Sequence, residues 1–347
     1  MNTEKIASGV VHFVDKNRVV RSHNGKLYQS FDLGISWEFL IDITSGYREK
    51  ILARSRLLSR LFRLHVYHIV PNQSNWVLFG MKKIYFLTYD LKKILSKDTL
   101  SGSRPLNVCS NEKGVYYGEY KNNKKRKPVS VWHYSNNTNK WRQASQFDNV
   151  RHIHGVHYDP FDDLIWVTTG DRNEESYIWR TQDDFQSIEK ETGGTQQQRS
   201  IKLLFTGDSV YFGSDTPEET NHLYKISRYD NTVIKLARVG GSVFHGCKVG
   251  NWLFFSTAVE KSSVNTSPYS EVWASPDGEK WQCILRYKKD CWDKKYFQYG
   301  QVFFPGGPGD DENLWLTPFA TKFDQRSFKI DLNNVAKLYK NGGITFK

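Results

Sequence analysis

Cysteine, methionine and long apolar runs are all scarce in this chain. Its 347 residues include four cysteines and two methionines. Cys109, Cys247, Cys283 and Cys291 form no Cys-x-x-Cys pair, which excludes a zinc ribbon or redox dithiol and leaves buried free thiols as the reading. No stretch approaches the ~18 consecutive apolar residues of a membrane span, and Met1 to Val14 carries no apolar signal core. A cytoplasmic location is the expectation, with export by a route the sequence does not display as the alternative. P-loop, G-x-G-x-x-G, H-E-x-x-H, G-x-S-x-G and EF-hand patterns are missing too, so nucleotide, zincin, serine-hydrolase and EF-hand calcium chemistry lack support.

Aromatic residues and positive charge are abundant. Trp, Tyr and Phe make up 15% of the chain, too much apolar surface for a disordered composition. Lys and Arg outnumber Asp and Glu by 49 to 37, a net charge of +12. That balance favours an acidic partner: an anionic glycan, a nucleic acid or an anionic surface.

A short pattern of large apolar residues ending in a small one recurs roughly every forty to sixty residues, the size of a four-stranded propeller blade. It reads Val77-Leu78-Phe79-Gly80, Val115-Tyr116-Tyr117-Gly118, Trp166-Val167-Thr168-Thr169-Gly170, Val210-Tyr211-Phe212-Gly213, Leu253-Phe254-Phe255-Ser256 and Leu314-Trp315-Leu316-Thr317. Strand-like runs flank each copy, so the class is all-β. First strands fall near Val10, His65, Arg104, Arg151, Arg199, Val243 and Phe297. The chain reads as a single β-propeller over 1–347 with seven four-stranded blades, six being the alternative count. Residues 333–347 offer a strand to close the ring beside the first blade. Residues 45–64 break the rhythm: Ile51, Leu57, Leu58, Leu61, Phe62 and Leu64 recur at helical spacing among Arg48, Lys50, Arg54, Arg56, Arg60 and Arg63. This predicts one inserted basic amphipathic helix, either capping the propeller through its Leu face or meeting an anionic partner or membrane surface through 48–63.

Ser30-Phe31-Asp32-Leu33-Gly34-Ile35-Ser36-Trp37 fits S-x-D-x-G-x-x-W in full; Ser275-Pro276-Asp277-Gly278-Glu279-Lys280-Trp281 fits its one-residue-shorter form, and Ser135 to Trp141 is a decayed copy. Asp and Gly make such a turn, and the Trp buries against the blade. On these residues the chain resembles the BNR/Asp-box β-propellers, the sialidase-like group, and the predicted glycan-active BNR-repeat proteins of unassigned reaction. The resemblance implies that the boxes are C–D turns at the inert end of the propeller, opposite the active mouth.

The mouth then gathers first-strand starts and second-strand finishes. Arg104, Arg151, His152, His154, Arg199 and Tyr299 come from the former; Glu119, Asp171, Glu175, Asp215, Asn221 and Glu260 from the latter. Arg, His, Tyr and carboxylate together suit an acidic, hydroxyl-rich ligand. His152 and His154, two apart on a strand, share a face. They read as an acid–base pair, as a divalent-metal site completed by Asp171 or Glu175, or as histidines bonded to loop backbone. Arg104 and Arg199 are forks for a uronate or sialate carboxylate; Glu119, Glu175, Asp215 and Asn221 are further substrate contacts. Glu260 and Tyr299 resemble the nucleophile-activating Tyr/Glu pair of sialidases. Propeller polysaccharide lyases use His and Tyr as base and acid with Arg neutralising a uronate, which His152 or His154, Tyr299, Arg104 and Arg199 resemble in type. The basic loop Lys121 to Lys127 overhangs the mouth in this reading and steers polyanions. The expected function is hydrolysis or β-elimination on an acidic oligo- or polysaccharide, with no cofactor apart from the metal alternative. A non-catalytic glycan-binding or scaffolding propeller is second and nucleic-acid binding third.

Overall fold

The computed structural model describes residues 4–80 and 82–346. Among them the strands form seven sheets arranged as the blades of a propeller. First strands run Val10–Val14, Val66–Pro71, Val108–Asn111, His152–Asp159, Ser200–Phe205, Val243–Val249 and Gln301–Phe303, matching the sequence assignment blade for blade. Within each blade, strands that follow one another in the chain pair antiparallel.

The repeated apolar pattern is the second strand. Trp76–Gly80, Gly114–Gly118, Leu164–Gly170 and Ser209–Ser214 are buried at every position, because this strand is covered on both faces by neighbouring blades, and such strands read as continuous apolar runs. Outermost strands face water, as in Ile94–Thr99, which is exposed after its first residue. The small residue that ends the pattern has a packing cause. A Cβ on Gly118 would lie 2.2 Å from Ile153, and one on Gly213 would lie 2.4 Å from Val243. The next blade enters the ring at these points, and only glycine leaves room for it.

The ring closes from the chain's other end than the sequence suggested. Strand Glu4–Ser8 pairs with Arg326–Asp331 as the outermost strand of the seventh blade. The tail forms a helix over Leu332–Lys340, and Ile344–Phe346 then adds a parallel fifth strand to the sixth blade along Gln282–Lys288. Phe346 stacks on buried Tyr287 with ring centroids 4.8 Å apart. That aromatic contact selects the sixth blade, where a short apolar run gave no hint of its partner.

The insertion is two short helices, Tyr47–Arg54 and Arg56–Leu61, rather than one. Ser55 has extended backbone and its hydroxyl accepts from Leu58 N, so it stops the first helix and caps the second. Its apolar residues do not cap the ring: Ile51, Leu57 and Phe62 stay exposed. The fully buried side chain is Arg60. Its guanidinium pairs with Asp290, lies 4.0 Å from Asp324, donates to the Phe297 carbonyl and covers the Trp292 ring. Of the cysteines, all free, Cys109 and Cys283 are buried, while Cys291 is exposed.

Candidate active site at the channel mouth

The connections that leave fourth strands and enter first strands open at one end of the ring, together with the loops between second and third strands. The turns holding Asp32, Asp183 and Asp277 lie between third and fourth strands, at the opposite end. The mouth is therefore built from the starts and finishes that the sequence picked out.

Asp171, just past the second strand of blade 4, is its hub. Its Oδ2 accepts from Arg151 at 2.6 Å and its Oδ1 lies 3.2 Å from Arg199. Oδ1 also sits 3.1 Å from His152 Nε2 and 3.6 Å from His154 Nε2. Both rings lie on one side, at a bulge in the ladder between Ile153 and Gly155, with Nε2 atoms 3.1 Å apart. Each Nδ1 meets a backbone carbonyl: Lys121 for His152 at 3.3 Å, Ser200 for His154 at 3.2 Å. Burial pulls His154 down to about 4, so its ring is neutral at physiological pH.

Arg199 connects this cluster to the next blade, reaching Asp215 Oδ2 at 3.5 Å. Asp215 is buried and its Oδ1 has no hydrogen-bond partner. Burial pushes its carboxyl up; Arg199 works against that shift, the charges of Glu260 and Asp171 work with it, and the result is about 7. Tyr299, at the entrance to blade 7, lies beside Glu260; burial first, then the Glu260 charge, holds its hydroxyl far above the usual phenol range. Tyr120 lays its ring on His152 at 4.2 Å between centroids, and Arg104 stands 5.9 Å over that ring.

The structure thus brings His152, His154, Asp171, Arg199, Asp215, Glu260 and Tyr299 together, with Arg104 beside them. Glu119, Glu175 and Asn221 have other work. Glu119 accepts from Ser101, Lys121 and Trp132. Glu175 accepts from Arg126 and from Arg151 N, the first of which ties down the basic loop expected to overhang the mouth. Asn221, fully buried, bonds to Thr216 and Asn265. Their polar atoms are taken up by the protein, so they shape loops instead of facing a ligand.

Two groups escaped the sequence reading. The sequence places Arg63 only among the basic residues of the inserted helix. The chain turns at Arg63 with φ 56°, leaving it exposed where Arg104, Tyr67, Tyr120 and Tyr299 act on its charge. Lys202, in the first strand of blade 5, is drawn below its ordinary value by burial and lies where its charge acts on Cys109, Cys247, His157 and His245. Its alternation with apolar neighbours is that of any inward position, which is why the pattern did not single it out. A separate groove of about 500 Å³ lies beside Trp132 and Trp141. Both indole N–H groups there already bond to carboxylates, Glu119 and Asp98.

No helix among the described residues is long and apolar enough to cross a membrane. No family model matches the chain, and no curated protein matches it, so the BNR/Asp-box assignment gains no support from sequence relatives. Solved structures do match in shape. A chain in the crystal structure of a mitotic checkpoint complex superposes with a TM-score of 0.57 at 9% identity, covering 95% of this chain and 90% of that one. The hydrazine synthase of Kuenenia stuttgartiensis gives 0.57 at 11% identity, covering 80% and 79%. At such identities the likeness is one of fold. The chain is a seven-bladed β-propeller.

Proposed function

We propose that the mouth binds an acidic glycan and transforms it by hydrolysis or β-elimination. The observation that carries this reading is Tyr299 placed beside Glu260 and near Asp215, a buried carboxyl with an unpartnered oxygen that burial pushes up to about 7. Reactions at a sugar carbon need one group that attacks or removes a proton and another that delivers one. With Glu260 accepting its proton, Tyr299 becomes the attacking oxygen or the base. Asp215, half protonated near neutrality, is matched to proton delivery, since efficiency peaks when the catalytic pKa lies near the working pH.

The cations support an acidic substrate. Arg63 and Arg104 offer planar forks that fit a carboxylate bidentately, and Arg199, held by Asp171 and Asp215, adds its positive charge beside them. In an elimination, neutralising a uronate carboxylate in this way acidifies the adjacent C–H; in a hydrolysis, it orients the sugar while positive charge develops at the anomeric carbon.

The test is turnover of uronate- and sialate-containing oligosaccharides against neutral ones, following new reducing ends together with the ultraviolet absorbance of unsaturated uronates. Turnover is expected on acidic substrates only, falling roughly 10²- to 10⁴-fold in Tyr299→Phe without a change in melting temperature. Absorbance growth identifies elimination; reducing ends alone identify hydrolysis. Binding without turnover would replace the reading with a glycan-binding propeller, and neither binding nor turnover would overturn it.

A further inference from the structure

We propose that His152, His154 and Asp171 hold a divalent first-row transition-metal ion. The argument begins with protons. A backbone carbonyl only accepts, so the ring nitrogens facing Lys121 O and Ser200 O, each a Nδ1 at 3.3 and 3.2 Å, carry the hydrogens. Both rings in this tautomer keep their lone pairs on Nε2. Those two lone pairs point at each other across 3.1 Å, and a third comes from Asp171 Oδ1 at 3.1 and 3.6 Å. His152 is 5% and His154 1% exposed. Two buried imidazole lone pairs facing each other and the partly buried Asp171 oxygen, with no hydrogen between them, are costly, and a cation at their centre removes that cost.

The dimensions fit an ion. Tetrahedral ligands at ~2.0–2.1 Å from a metal lie about 3.3–3.4 Å from one another, and the three separations here bracket that value. Metal-bound imidazoles characteristically donate their other N–H to a carbonyl that fixes the ring, and Lys121 and Ser200 do so. Two imidazoles with one carboxylate suit zinc, iron(II) or manganese(II) better than calcium or magnesium, and three ligands leave coordination positions open. The arginines do not exclude the ion. Arg151 takes the other oxygen, Oδ2, at 2.6 Å, and Arg199 at 3.2 Å needs one of the two lone pairs of Oδ1. The carboxylates of Asp215 and Glu260 offset their charge.

This site stands apart from the proposed glycan chemistry, because metal binding is measured on the resting protein with no sugar present. Tag-free full-length protein is stripped with a chelator, then titrated with Zn²⁺, and separately Mn²⁺, by calorimetry and elemental analysis, with Co²⁺ as a ligand-field probe. One ion per chain is expected, and the melting temperature should rise with Zn²⁺ concentration. His154→Gln and Asp171→Asn should bind at least about 100-fold more weakly and lose the Zn²⁺-dependent rise while melting cooperatively; His152→Gln substitutes for either variant that fails to fold. Stripped wild-type protein that binds no ion at saturation, or variants that bind as tightly as wild type, would overturn the proposal. So would ¹⁵N spectra showing one ring protonated at both nitrogens and indifferent to Zn²⁺.

Discussion

The two ends of the propeller treat their carboxylates in opposite ways. At the turn end Asp32 accepts from the Ser30 hydroxyl at 2.6 Å, the Ser36 amide at 2.9 Å and the Ser36 hydroxyl at 2.5 Å. Asp277 accepts from Ser275, Glu279 and Lys280, each at 2.9 Å. Every partner lies within the same hairpin, and the side-chain hydrogen bonds from Ser30 and Ser36 hold the Asp32 carboxyl far below its ordinary value. At the mouth, Asp215 keeps an unpartnered oxygen and is pushed up to about 7. Its neighbours come from elsewhere in the chain: Arg199 from the start of another strand of its own blade, Asp171 and Glu260 from the blades on either side. A turn settles its charge to hold shape; the mouth leaves its charges in competition, which is the condition under which protons move near neutral pH.

The contrast can be broken, and the largest effect belongs to turnover, where Tyr299→Phe removes activity without altering the fold, as set out above for the acidic glycans. Next is the rim. Arg60→Met leaves Asp290 and Asp324 without their buried partner; removing one member of a buried pair costs about 3–5 kcal/mol, to be read from urea unfolding. Arg56, paired with both carboxylates but half exposed, should cost far less when changed to Met.

Asp215 makes a prediction about pH. Its folded pKa of about 7 lies above the ordinary 3.8, so the folded state binds the extra proton. The associated stability is complete below pH 4 and is lost as pH rises through about 7. Asp215→Asn should therefore flatten the fall in unfolding free energy between pH 4 and 8, by a few kcal/mol at the alkaline end for a shift of about three units. A fall of equal slope in the variant would assign the pH dependence elsewhere. At the turn end, Gly34 has φ +91°, and a Cβ there would meet Ile6 at 2.4 Å. Gly34→Ala should cost roughly 1–3 kcal/mol and leave turnover by the folded protein untouched, the smallest effect on function of the set.

The same division explains what was legible in the sequence. Blades, their seven first strands and the turn-end boxes rest on local alternation and local turns, and all could be read. His152 and His154, two apart on one strand, read as sharing a face, and they do. Even at the turn end, though, one copy escaped: Thr181, Asp183 and Ser187 make the same bonds in blade 4, and Asp183 is drawn to about 2. Phe185 stands in the glycine position there with φ 71°, so the pattern was hidden while the geometry survived. Arg60 reads only as one of the helix's basic residues because helical periodicity sees only near neighbours, and its acceptor Asp290 lies 230 positions away. Glu119, Glu175 and Asn221 have the residue types of ligand contacts, and only their partners across loops reveal that they are occupied. The strand Glu4–Ser8 closes the ring through a pairing with the far end of the chain, which no local signal encodes.

The most direct measurement is the titration of the carboxyl carbons of Asp215 and Asp32 by NMR in one sample, assigned with Asp215→Asn and Asp32→Asn. The account predicts a midpoint near 7 for Asp215, falling in Glu260→Gln, while Asp32 stays ionised throughout the same range. An Asp215 midpoint in the ordinary carboxylate range, unmoved by Glu260→Gln, would contradict it.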